Sequence, residues 1–161
     1  MIVFRPTAGF TFSHPAHIIA FGFGAGLAPI APGTAGTLAA WLLGWALAGL
    51  DAVLYFSILI LLFALGLWAC DLTGRRLGIP DHGSMVWDEI VAFLIILAIV
   101  PRELGWQAAA FVLFRAFDIA KPPPIRWFER RYRGGFGVMF DDLIAAGYAL
   151  LVLALIKRLL P

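Results

Sequence analysis

Five stretches of the chain are almost wholly apolar, at positions 38–50, 52–69, 90–100, 106–114 (extendable to 120) and 143–156, and short polar connections separate them. This pattern predicts an all-α integral membrane protein, a bundle of about five short transmembrane helices. Most of the runs fall short of the roughly 20 residues that a full span needs, so they either continue through flanking polar positions or leave the bilayer locally thin. Charged side chains then sit at the membrane surface or inside it. A sixth stretch, 17–28, is apolar but rich in glycine and ends at Pro29, which reads as an N-terminal interfacial or re-entrant segment. No long-period repeat, low-complexity tract or heptad pattern interrupts the series.

Composition agrees with a membrane solvent: 62% of the 161 residues are hydrophobic and 14% charged, and the mean hydropathy is +0.93. Five spans with their loops occupy nearly all of 1–161, so a single membrane-embedded domain is expected. The net charge of +2 comes from a few Arg and Lys at loop positions, which suits anionic lipid headgroups and argues against a nucleic-acid surface. The one cysteine, Cys70, excludes an internal disulfide and a thiolate metal cluster. Arg5 is followed by Pro6 and Gly9 and not by a continuous apolar core, so no cleaved signal peptide is expected.

Basic residues in short connections set the orientation. With Arg5 inside, the outer connections at Asp51 and at Arg102 and Glu103 carry one basic residue between them. The inner ones carry Arg75 and Arg76, then Lys121, Arg126, Arg130, Arg131 and Arg133. Lys157 and Arg158 run against this bias unless they snorkel to the opposite interface. Positions 29–37, 71–89 and 115–142 then share the cytoplasmic side, where nearly every polar group of chemical interest can meet.

Those segments read APIAPGTAGT (28–37), DHGSMVWDE (81–89) and FRAFDIAKPPPIRWFERRYRGGFGVMFDD (114–142). Together, and in this order, they resemble the phosphatidylglycerophosphatase A family, bacterial enzymes that convert phosphatidylglycerophosphate to phosphatidylglycerol and phosphate. The resemblance covers about 20–150. It implies a magnesium-dependent phosphomonoesterase, multi-pass in the bacterial cytoplasmic membrane, acting on phosphatidylglycerophosphate among membrane lipid.

The residue types fit that chemistry on their own account. Asp88, Glu89, Asp118, Asp141 and Asp142 lie at the cytoplasmic ends of predicted helices, and Mg²⁺ takes hard oxygen ligands, one or two carboxylates with water and phosphate completing the shell. Four of them also suit the first turns of helices, where the macrodipole favours an anion by about 0.3–1 kcal/mol. Asp118 instead closes its helix, where the dipole disfavours it. Arg115 and Lys121, each three residues away, are its candidate ion-pair partners, yet a charge at membrane depth costs roughly 2.5–3.5 kcal/mol, which favours a site over a structural pair.

Arg115, Lys121 and Arg126 are candidates to neutralise a phosphate, and the proline run 122–124 should turn the chain stiffly between the last two. Arg126, like Arg130, Arg131 and Arg133, also reads as a topology marker on anionic lipid. Thr34 and Thr37 in the 32–37 turn could cradle phosphate at a helix start, or Thr could serve simply as a cap. His82, in a polar loop near Asp88, is the candidate proton donor to the departing glycerol oxygen, or a loop histidine bonded to Asp81. His14 and His17 lack acidic neighbours and suit interfacial or packing roles. The glycines at 22–26 lack the context of a dinucleotide fingerprint and suit close helix approach.

Other phosphatase chemistries find no footing. Cys70 and Arg76 have Cys-x5-Arg spacing, but Asp71 opposes a thiolate and the cysteine ends a helix instead of opening an anion loop. No Asp-x-Asp, Ser-x-x-Lys or Gly-x-Ser-x-Gly is present. The expected catalytic set is therefore His82, Asp118 and Lys121, working with metal-activated water. Three alternatives stand beside it, the first being a phosphatase of another lipid phosphate. A small transporter or ion-pathway protein would carry charges along the membrane depth, where the interiors of these runs have almost none. A lipid-binding scaffold would release no phosphate.

Overall fold

A computed structural model of the chain describes residues 6–159; Arg5, used above for orientation, lies outside them. The described residues form helices without a strand, and two helices are long and apolar enough to cross a membrane: α4 (Ala52–Leu77) and α8 (Gly134–Leu159). Both direct large apolar side chains outward, Ile60 and Leu61 from α4 and Leu151 and Leu155 from α8. A core helix of a water-soluble protein would bury them.

Each of the five apolar runs maps onto one helix with different limits, and the runs at 38–50 and 90–100 extend past the ends of theirs. The run at 38–50 belongs to α3 (Pro32–Leu47), so the 32–37 segment forms the first turns of that helix and does not precede it. Pro32 occupies its opening position, where a missing N–H does no harm. The run at 52–69 extends in α4 through Asp71, Arg75 and Arg76 to Leu77, into what the sequence assigns to a loop. Asp51 caps its start by accepting from Leu54 N at 3.0 Å, and Gly78 ends it in the left-handed conformation. The central helix α5 (Trp87–Ile99) is buried on all sides through its first turns. Helix α6 spans Leu104–Ala120, and a short α7 covers Ile125–Arg131. The run at 143–156 begins nine residues earlier than its apolar pattern, because α8 starts at Gly134.

Asp141 and Asp142 therefore stand in the third turn of α8, beyond reach of a first-turn capping role. The glycines of GGFG explain how a helix fits there, since a side chain at Gly135 would overlap the Leu67 carbonyl of α4. Before α3, the N-terminal stretch forms α1 (Ala8–Thr11), α2 (Pro15–Ala20) and a kinked 3-10 segment, Gly22–Leu27, so the stretch at 17–28 comprises the end of α2 and this segment. Helix α2 packs on α4, where His17 is fully buried, stacks on Phe10 and bonds Thr73 Oγ1 at 2.9 Å.

Helices α3, α4, α6 and α8 surround α5. Polar side chains fix their register from within the apolar layers. Trp87 donates to Leu62 O (2.9 Å) and Tyr55 to Leu94 O (3.0 Å), joining α4 to α5. The Trp41 and Trp45 indoles both donate to Gln107 Oε1, joining α3 to α6. This framework brings the start of α3, the start of α5, the end of α6 and the first third of α8 to one end of the bundle.

Candidate functional site

At that end, Asp88, Glu89 and Asp142 each offer a carboxylate oxygen, all within 4.8 Å of one another. All three residues are buried, at 7%, 9% and 3% exposure. Asp118 adjoins them, within electrostatic range of Asp142 and Glu89. Among the described residues one guanidinium faces these four acids: Arg115 lies 2.7 Å from Asp118 and 3.4 Å from Glu89. Negative charge is thus in excess in a buried place, which proteins tolerate only with a compensating cation or with protons.

Unsatisfied atoms mark where a cation would bind. Asp88 Oδ1, Glu89 Oε2 and Asp142 Oδ2 are buried and have no hydrogen-bond partner. Three acceptors left without donors, one from each acid of the group, form the hard oxygen set that suits a divalent ion. The start of α3 closes over this set. Gly33 sits so near that a β-carbon there would overlap Glu89 Oε1 and come within 2.8 Å of the Arg115 guanidinium.

A second carboxylate group, Asp81, Glu129 and Asp141, meets the same 4.8 Å limit beside the first. Lys121 stands among these acids, 2.8 Å from Asp141, 3.2 Å from Glu129 and 3.9 Å from Asp81. Burial by itself would lower its ammonium pKa, but Asp141 together with Asp81 and Glu129 outweighs burial and raises it. Three carboxylates therefore surround one ammonium, and Lys121 is held among them as their shared cation. The sequence offers both Lys121 and Arg115 as partners of Asp118, and Arg115 takes that role. Lys121 caps α6 with a left-handed backbone (φ 41°), which turns its side chain off the face that Asp118 occupies. The consecutive residues Asp141 and Asp142 serve different groups, and Asp118 lies within electrostatic range of both.

The remaining candidates lie as follows. Thr37 is fully buried and donates its hydroxyl to Gly33 O at 2.9 Å, inside its own helix, while Thr34 is half-buried in the first turn of α3. Arg126 is exposed and donates to Ala120 O at 3.1 Å, capping the end of α6 instead of facing the acids. His82 is buried, and its Nδ1 accepts from Ser84 N at 3.1 Å. Its neighbour Asp81 reaches Lys121. Cys70 is buried inside α4 and Arg76 exposed, so their spacing forms no anion loop. Sequence reasoning did not single out Glu129, whose place among the arginines of 126–133 concealed it, and named Asp81 only as a neighbour of His82.

Fold and site together define a small helical protein with membrane-length helices and a buried polyacidic centre at one end of its bundle. The chain belongs to the phosphatidylglycerophosphatase A family, whose profile matches residues 18–157. It is 47% identical over 156 residues to phosphatidylglycerophosphatase A of Haemophilus influenzae, covering 95% of each chain. It is 45% identical over 134 residues to that of Escherichia coli, covering 83% of this chain and 78% of the relative. A Bacteroides thetaiotaomicron protein provisionally named a phosphatidylinositol-3-phosphatase is 39% identical over 148 residues, 87% of this chain and 92% of that one. No solved structure matches.

Proposed function

We propose that this protein is a Mg²⁺-dependent lipid phosphatase that hydrolyses the terminal phosphomonoester of phosphatidylglycerophosphate, releasing phosphatidylglycerol and phosphate. It is a multi-pass protein of the bacterial cytoplasmic membrane, with α3, α4, α5, α6 and α8 as spans and the acidic end facing the cytoplasm. The observation that carries the reading is the trio of orphaned, buried oxygens on Asp88, Glu89 and Asp142, next to two fixed positive groups. The names of the Haemophilus and Escherichia relatives supply the substrate.

Asp88, Glu89 and Asp142 would hold the ion, with Asp118 beside them. When bound, Mg²⁺ supplies Lewis acidity toward a phosphoryl oxygen and toward the attacking water. The chain's own residues do the rest. Arg115 draws Glu89 and Asp118 together and presents guanidinium hydrogens to a phosphate oxygen. Lys121 adds a positive charge near the developing charge of the transferring group. Asp118, already paired with Arg115, would orient the attacking water. Because Nδ1 of His82 is engaged with Ser84 N, a proton passed to the glycerol oxygen would leave from Nε2.

The test is phosphate release from phosphatidylglycerophosphate by the purified protein in mixed micelles, with and without chelator, followed by alanine at each of the five carboxylates. Chelation should abolish release and Mg²⁺ restore it. A folded D118A protein with full magnesium-dependent activity would refute the assignment. T37V separates the two roles weighed for that threonine. Because the wild-type hydroxyl is bound to Gly33 O, the variant should keep KM within about threefold and lose roughly 1 kcal/mol of stability, read from a thermal melt.

A further inference from the structure

Arg133 occupies a position that the reaction above does not use. Three adjoining cavities at the acidic end all have Arg133 in their walls. The outermost, about 540 Å³, lies between α4 and α8 against Trp68 and Phe136, each 45% exposed on the flank of the bundle. The middle one, about 430 Å³, continues past Arg75 and Gly134. The innermost, about 230 Å³, reaches Asp81 and Asp141, two of the acids that hold Lys121. A path therefore leads from the apolar flank to the acidic centre, with Arg133 at the junction.

Charge along the path is uneven. Asp71 pairs with Arg75 at 2.8 Å and so neutralises it. Lys121 is held by Asp141, Asp81 and Glu129. Among the described residues no carboxylate forms an ion pair with Arg133, which is exposed. An exposed guanidinium between an aromatic flank and a phosphate-processing centre matches a lipid with two phosphates, one internal and one terminal.

We propose that Arg133 binds the internal phosphodiester of the substrate lipid, with the acyl chains beside Trp68 and Phe136 and the terminal phosphomonoester delivered past Asp141. Arg133 is then a specificity residue that distinguishes a diester-bearing phospholipid from a simple phosphomonoester. The inference rests on the phosphatase reading, but its binding part is measurable without catalysis.

The full-length protein in detergent is titrated with phosphatidylglycerol carrying brominated acyl chains, and quenching of the Trp68 fluorescence is isolated by difference from W68F. R133Q should raise the half-saturating lipid fraction about tenfold, R133K should recover most of the loss, and R131Q should match wild type. Brominated diacylglycerol, which has no phosphate, should bind wild type and R133Q alike, and a loss of its binding in R133Q equal to that of phosphatidylglycerol overturns the proposal. An R133Q titration equal to wild type, or a loss shared by R131Q, overturns the proposal. In hydrolysis of the two-phosphate lipid, R133Q should raise KM about tenfold with kcat within twofold. A kcat loss without a KM rise also overturns it. If wild type releases no phosphate at all, the proposed function fails, and the quenching titration alone decides the role of Arg133.

Discussion

Asparagine at position 142 is expected to lower phosphate release by about 10²–10³-fold, the scale of removing one electrostatic element from a preorganised site. The substitution keeps the size of the side chain and removes one charge and one hard ligand. Its effect on stability should have the opposite sign. Asp142 is 3% exposed, has an orphaned oxygen and shares its surroundings with Asp88, Glu89 and Asp118, so the metal-free protein is strained by repulsion there. In chelator, D142N should therefore melt at the same temperature as wild type or higher. Added Mg²⁺ should raise the melting temperature of wild type, by linkage worth about 2.7 kcal/mol at one hundred times Kd, and leave D142N unmoved. Full activity in D142N, or an equal Mg²⁺ shift in both proteins, would place the ion elsewhere.

Alanine at Gly33 is the second large effect. The new β-carbon would overlap Glu89 Oε1 and lie 2.8 Å from the Arg115 guanidinium, so the start of α3 must back away or Glu89 and Arg115 must move. Neither group is a loose surface side chain, since their side chains are 12% and 13% exposed. A displacement near 1 Å at a catalytic centre costs on the order of 10²-fold, and a 10- to 100-fold fall in kcat is expected for G33A. G105A provides the contrast. Gly105 lies in α6 with nothing within 4 Å of its would-be β-carbon, so alanine there should leave activity intact and add up to about 1 kcal/mol of helix stability. Equal behaviour of the two variants in the phosphate-release assay would show that α3 does not pack against the reacting groups.

Much of the candidate site was legible in the sequence because charge is scarce in this chain. A buried acid in an apolar environment needs a reason to be there, and that scarcity drew attention to Asp88, Glu89, Asp118, Asp141 and Asp142 before any coordinates. Where charge is plentiful the same reasoning lost its force. Glu129 lies among four arginines and looked like part of a solvated patch, yet it is one of three acids around Lys121. Helix limits failed at polar residues for a related reason. Apolar runs report what faces lipid or core, whereas Asp71, Arg75 and Arg76 in α4, and the glycines opening α8, continue a helix that their polarity or small size hides.

Partner choice depended on angles that spacing cannot supply. Asp118 to Arg115 and Asp118 to Lys121 are both three residues apart, but a left-handed residue at the end of α6 removes the lysine from that face. Likewise Arg126 turned to a helix end and Thr37 to its own backbone, because a carbonyl nearby in the chain was within reach of each.

By itself the sequence determined the helical class, the family resemblance and the list of acids, because these follow from residue chemistry and its order along the chain. Tertiary structure alone decided which acids share a pocket, which cation each receives, and that Asp141 and Asp142 serve different groups. The reason is physical: a carboxylate's role depends on the charges and donors within a few ångströms of it, and in a bundle of several helices most of those come from distant parts of the chain.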